Sequence, residues 1–358
     1  MHKRNYGIDL LKIVSMYYVI LIHILGHGGV VYNTQYLTLN DTIAWLLRIL
    51  VYCAVNLFAL CTGYLYVDKK FKYKNIINLW ILVCFYSVTI TLLFKHVNII
   101  SLIKAFLPVT NNLYWYFSSY FCFMLFTPFI NRVLNNLSKG EYKCLLGTIL
   151  FVMSGIGFIS IIFDKDPVMI KYGFSPLWIM CLYIFGGYFK LYRTKFKTYS
   201  KKIYFLVYML SSLIMLLSRI IILKVPLLSA YIVNDLFIRY NSIFILVNSI
   251  SLFLLFLKIK VHNRYKNCIS FLSKLSFSVY LIHEHPLVQT TFMKWRFVFL
   301  STYPIYKMIF IILLSGLNIY IMCTIIDIFR YYLFKFLKVD KFSEFVDNKI
   351  VSMLTKKG

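Results

Sequence analysis

Acidic side chains are scarce in this chain: 12 Asp+Glu stand against 39 Lys+Arg in 358 residues. In a soluble protein that imbalance would suggest a nucleic-acid binder. Here the basic residues fall in short clusters between long apolar runs, as in membrane-protein loops, and this argues against a nucleic-acid partner. Cysteine pairing is missing too. The eight Cys, at 53, 61, 84, 122, 144, 181, 268 and 323, include no CxxC pair and lie in or beside apolar runs. They read as buried small hydrophobes, so neither a disulfide framework nor a metal site is expected. A long polar stretch is also lacking, so no soluble domain is expected beside the apolar segments.

What is present is hydrophobic. Apolar residues make up 61% and aromatics 19% of the chain, with a mean hydropathy of +0.76. One soluble core could not cover that much apolar surface, whereas a bilayer can. Ten segments are long enough to span it when tilted: 8–25, 43–65, 76–94, 113–130, 144–163, 176–189, 203–223, 236–257, 276–293 and 305–328. The 99–107 stretch is too short and is expected at the interface. The fold class is therefore all-α and polytopic, with the lipid bilayer as its surroundings. Residues 1–334 form the transmembrane domain and 335–358 a short basic tail, expected on the inner leaflet. The basic start and following apolar run suit a signal peptide, but Asp9 and Lys12 interrupt the run. Gly26-His27-Gly28-Gly29 is not a small-residue cleavage site, so the segment is read as the first span.

The loops then fix an orientation. The amino terminus, the 66–75, 131–143, 190–202 and 258–274 loops and the tail from Arg330 hold 27 Lys+Arg, and the alternate loops hold 8. Both termini are thus expected on the cytoplasmic side of the membrane.

Ionisable groups inside spans are costly and rarely idle. Lys12 and His23 lie eleven positions apart on the first helix, hence on one face and about 16 Å apart along the axis. Alone, the pair would read as a snorkelling lysine and a packing histidine. Glu284, flanked by His283 and His285, is read as the only carboxylate well inside a span. Arg48, Arg219 and Arg239 fall in the outer halves of their helices. They line an anion-binding or oxyanion-stabilising cavity, pair with Asp235 and backbone carbonyls, or snorkel outward.

Four stretches together resemble the membrane acyltransferase 3 family. Lys12-x10-His23 is similar to its Arg/Lys-x10-His signature, preceded by a family-like Arg4-Asn5-Tyr6-Gly7-Ile8-Asp9. The run Asn56 to Tyr64 resembles its F-x-x-S-G-Y segment, with Thr62 in place of serine. Tyr114-Trp115-Tyr116-Phe117 followed by Pro128 resembles its W-[FY]…P helix. Ser276-Phe277-Ser278-Val279-Tyr280-Leu281-Ile282-His283-Glu284-His285-Pro286 resembles S-x-S-x-Y-L-x-H-x-P. The resemblance implies transfer of an acyl group, usually acetyl, from cytosolic acyl-CoA to a hydroxyl of an extracytoplasmic glycan. It also implies a catalytic His23, acting as general base or as transient acyl carrier. No permanently bound cofactor is expected; acyl-CoA is a substrate.

Lys12, His23, His283 and Glu284 are thus the candidate catalytic residues. Arg48, Asn56, Tyr64, Trp115, Arg219 and Arg239 are the candidates for substrate binding. Family members with a fused extracytoplasmic SGNH-like domain differ from this chain, so direct transfer to the glycan is expected here. The rival readings are a glycan polymerase or lipid-linked-sugar flippase, and a transporter or non-catalytic membrane protein. A polymerase should carry a large external loop, and a transporter should carry inverted repeats.

Overall fold

The computed structural model describes residues 4–94, 98–163, 165–192, 199–227 and 235–355. Among these there is no strand. The main helices are α1 (Tyr6–Leu25), α2 (Leu39–Val51), α3 (Ala54–Tyr66), α4 (Tyr73–Phe94), α5 (Trp115–Asn136) and α6 (Lys139–Ile149). They continue with α7 (Pro176–Leu191), α8 (Lys201–Lys224), α9 (Ile243–Leu257), α10 (Asn263–His283), α11 (Ile305–Phe336) and α12 (Val339–Thr355). Among the described residues, six helical stretches are long and apolar enough to cross a membrane: Tyr6–Asn33, Leu39–Tyr66, Tyr73–Phe94, Lys139–Ser160, Lys201–Lys224 and Ile305–Phe336. Two shorter apolar helices, α7 and α9, accompany them.

α1 is the hub, packed against α10, α3, α11, α2 and α9. Asn5 starts it by accepting the Gly7 N–H, and also reaches Leu257 at the end of α9. Asp9 takes Arg4 and the Ser273 hydroxyl of α10, while His23 meets His283 at the far end. α1 and α10 therefore run parallel, fastened at both ends by polar groups.

Several boundaries differ from the sequence reading. The 131–143 stretch is mostly helix, because the Ser138–Glu141 capping box starts α6 two residues after α5 ends. The 258–274 loop shrinks to a few residues, since α10 begins at Asn263 and carries Arg264, Lys266 and Lys274 itself. The 276–293 segment is not one helix. Pro286 biases His285 away from helical geometry, so α10 stops at His283 and a short turn follows. α11 runs on to Phe336, which places Asp327 and Arg330 inside it. Asp327 is fully buried, so Glu284 does not stand alone as an intramembrane carboxylate. The 190–202 loop lies partly outside the described residues. Cys144 and Cys268 are exposed on the protein surface, whereas Cys53, Cys61, Cys181 and Cys323 are buried.

α3 and α7 touch backbone to backbone. A Cβ added at Gly63 would lie 2.0 Å from the Tyr183 carbonyl oxygen, and one at Gly186 2.2 Å from that of Leu60. Small residues at such crossings let helices gain close packing in lipid, where little hydrophobic force drives them together. Gly63→Ala should force the pair apart at a cost of about 1–3 kcal/mol or more. Gly147→Ala, where an added Cβ meets nothing within 4 Å, serves as control. Thermal unfolding in detergent should show a lower midpoint for the first variant only.

Candidate active site

The end of α1 and the end of α10 meet to form a histidine–carboxylate cluster. His23 Nδ1 lies 3.0 Å from His283 Nε2, and His283 Nδ1 lies 2.6 Å from the Val279 carbonyl oxygen. A carbonyl only accepts, so His283 donates from Nδ1 and a neutral ring then accepts at Nε2. His23 must accordingly carry its proton on Nδ1, which leaves Nε2 with the lone pair. Glu284 Oε2 sits 2.9 Å from the same His23 Nδ1, close enough to stabilise a positive charge on that ring. His27, one turn beyond, has Nε2 3.7 Å from Glu284 Oε1.

The backbone behind this cluster is fixed. Tyr114 donates its hydroxyl proton to the Leu281 carbonyl, and the His285 ring packs edge-on against Tyr114. Trp295 and Phe297 donate their N–H groups to the His27 and Gly28 carbonyls. Gly29 adopts φ +89°, and a Cβ there would strike the Trp295 ring at 2.6 Å. Glycine at this position lets the chain fold down tightly over the histidines.

One cavity is lined by His23, and a second shares a wall with it. The smaller, about 30 Å³, is lined by His23 and by Trp115, Tyr116, Tyr240 and Tyr280. The larger, about 680 Å³, is lined by Lys12 and Thr62 and opens beside Arg330, Lys335, Lys338 and Lys341. Phe58, Tyr116 and Phe277 line both, so one aromatic wall separates them. Arg330 is held at the larger cavity by two contacts of 2.7 Å to Asp327, which also accepts the Tyr86 hydroxyl at 2.6 Å.

The structure thus brings His23, His283 and Glu284 together and sets Lys12 apart, on the wall of the larger cavity. Trp115 lines the small chamber and stacks on Tyr240. Arg48 packs among Tyr32, Trp45 and Tyr52, with Nη1 3.0 Å from the Tyr32 hydroxyl and Nε without a partner. An added Cβ on Gly26 would come within 3.5 Å of that guanidinium, which places Arg48 just behind His27.

Four expected substrate-binding residues are used otherwise. Asn56 is fully buried, donating to the Tyr240 carbonyl and accepting from the Trp178 indole, so it braces α3. Tyr64 packs on Phe253 under Lys190 and lines neither cavity. Arg219 forms a two-pronged ion pair with Asp41, at 2.8 and 3.0 Å, and its guanidinium lies 4.3 Å from the centre of the Trp45 ring. Arg239 pairs with Asp235 at 2.8 Å over Tyr172. The three arginines therefore do not line one open anion cavity: two of them already hold carboxylates.

Sequence reasoning missed Tyr240, Arg330 and Asp41. A helical i, i+4 spacing from His23 marks His27. Asp41 was invisible because it was counted in a loop, although it starts a buried helix behind the Thr38 cap.

A family model described as an acyltransferase domain matches residues 5–334, nearly the whole chain. Neither the curated proteins nor the solved structures compared with the chain gave a significant match.

Proposed function

From the premise that this chain belongs to that acyltransferase family, and so is an acyltransferase, we propose that it moves a short acyl group from cytosolic acyl-CoA to a hydroxyl of an extracytoplasmic or lipid-linked glycan. The observation that carries this reading is the pair of cavities meeting at one aromatic wall. One is large with a basic mouth; the other is small and faces His23. Coenzyme A carries its phosphates at one end and its thioester at the far end of a long arm. Lys12, Arg330 and the lysines at the mouth suit the phosphates. The arm would then run along α1, so the thioester arrives at the wall by His23. A chamber of about 30 Å³ has room for only a few heavy atoms, which favours acetyl over long chains.

In the transfer step, His23 Nε2 takes the hydroxyl proton as the acceptor oxygen attacks the thioester carbonyl. The C–S bond breaks, and the leaving thiolate recovers that proton as free thiol. His283 fixes the His23 tautomer, and Glu284 stabilises the imidazolium that forms between the two proton transfers. Arg48, with a free Nε, is the arginine best placed to meet developing negative charge, and Trp115 offers a face for the acceptor. The loop charges favour a cell-membrane location with both termini cytoplasmic. The remaining long helices, α5 and α10, with the shorter α7 and α9, would bring the spans to ten.

NMR of envelope or capsular polysaccharide tests the function directly. A deletion strain should lose an O-acyl signal that the wild type shows, and identical spectra would remove the reading. Lys12 should act through the donor. Lys12→Ala should raise the acyl-CoA KM roughly ten- to a hundredfold, from about 1.5–3 kcal/mol for a hydrogen bond to a charged group. Lys12→Arg should keep part of the activity. An unchanged KM with a fallen kcat would place Lys12 elsewhere in the reaction.

A further inference from the structure

We propose that His23, His27 and Glu284 form a binding site for a divalent transition-metal ion of the zinc class, and that its occupation switches acyl transfer off. The sequence spacing gave no hint of a metal site, because the carboxylate comes from a helix some 260 positions away. In space the three donors converge. His23 Nδ1 and Glu284 Oε2 are 2.9 Å apart, His27 Nε2 and Glu284 Oε1 are 3.7 Å apart, and one ligand atom from each residue lies within 4.8 Å of the others. Around a tetrahedral zinc, with bonds of about 2.0–2.1 Å, neighbouring donors are separated by roughly 3.3 Å, inside the observed range.

Three further features suit an ion. Glu284 Oε2 is buried and accepts no aligned hydrogen bond, since the His23 Nδ1–H points at His283 instead. A buried carboxylate oxygen that accepts no hydrogen bond and faces two imidazoles is a site short of one positive charge. The donor set of two imidazoles and one carboxylate selects zinc or its neighbours over magnesium or calcium, which favour all-oxygen sites. The His27 side chain is 46% exposed, so an ion can enter past it without unpacking the core.

The switch rests on the proposed role of His23 as base. Its Nδ1 can hold a proton or a metal, not both. With a proton on Nδ1, Nε2 keeps its lone pair and can accept the hydroxyl proton. A metal on Nδ1 displaces that proton, and a neutral ring must then carry its hydrogen on Nε2. Coordination therefore removes the base without blocking either cavity. His27 takes no part in the transfer itself, so it separates the two roles.

The test uses the purified full-length chain in nanodiscs. Calorimetric titration with zinc chloride should give one ion per chain, and magnesium chloride should give none. Transfer from labelled acetyl-CoA to native membrane glycan should fall over the same zinc range and return with EDTA. His27→Gln should keep the basal transfer rate while losing at least tenfold in zinc affinity and the inhibition with it. Glu284→Gln, read by calorimetry alone, should lose zinc binding as well. Absence of one-to-one binding, or binding and inhibition unchanged in His27→Gln, would overturn the site. Binding that depends on His27 but leaves transfer untouched would keep the site, overturn the switch and tell against His23 as the base.

Discussion

His23→Ala is expected to lower O-acylation by roughly 10²–10⁴-fold, the usual contribution of a positioned acid–base group. Chain abundance in the membrane should stay near wild type. The substitution removes an imidazole that contacts two histidines and one carboxylate at a helix end, and it adds no charge to the interior. The packing of α1 is carried by neighbours such as Leu11, Ile20 and Ile24, all essentially buried, which the change leaves alone. The measurement is the O-acyl signal of the glycan beside an immunoblot of the membrane fraction. A normal signal in this variant would remove the mechanism, because no other ring at the cluster has a free lone pair facing the chamber. His283→Ala should have a smaller effect, since it loses the group that fixes the tautomer and keeps the base.

The second large effect concerns folding. Arg219→Ala should cost about 3–5 kcal/mol, because it leaves the fully buried Asp41 carboxylate without its cation. Asp41 also accepts the Thr34 hydroxyl and the Leu37 N–H, so its charge anchors the turn that follows α1. Arg219→Lys should not fully restore the protein, since a single ammonium cannot reproduce two parallel bonds and the stacking on Trp45. The double variant Asp41→Asn with Arg219→Met separates the roles, since a structural pair can be replaced by groups that carry no charge. It should recover much of the thermal stability and much of the activity. A double variant that folds but does not transfer acyl groups would return Arg219 to the substrate.

What the sequence displayed well was periodicity. The helical nature of most apolar segments follows from run length, and the shared face of Lys12 and His23 follows from 100° per residue. The pairing of His23 with the His283–Glu284 corner was accessible only through the family-like motifs, because no local pattern links residues 260 positions apart. The arginines were harder. Charge inside a span signals a cost that something must offset, but it does not name the partner. Arg239 has its partner four residues upstream, where a helical spacing could suggest it. Arg219 has its partner 178 positions away, in a segment whose polar composition reads as loop. Boundaries failed for a related reason. α10 and α11 run well past their apolar stretches, carrying Lys274, Arg330 and Lys335 on helix that hydropathy alone assigns to loops.

The last helix binds the rest of the protein through its polar side. Asp347 accepts the Tyr73 N–H, Asp340 accepts from Asn78, Ser343 donates to Asn78, and Glu344 pairs with Lys74 at 3.2 Å, while Phe342 and Phe345 face outward. Val339, Asp340 and Lys341, at the start of α12, also line the larger cavity. One wall of that cavity is therefore fastened in part by the exposed ion pairs of Lys74 with Asp340 and Glu344, each worth at most about 1 kcal/mol and weakened once the Debye length shortens to a few ångströms. Ionic strength thus acts on the cavity twice: it screens the basic mouth, and it loosens the wall beside it.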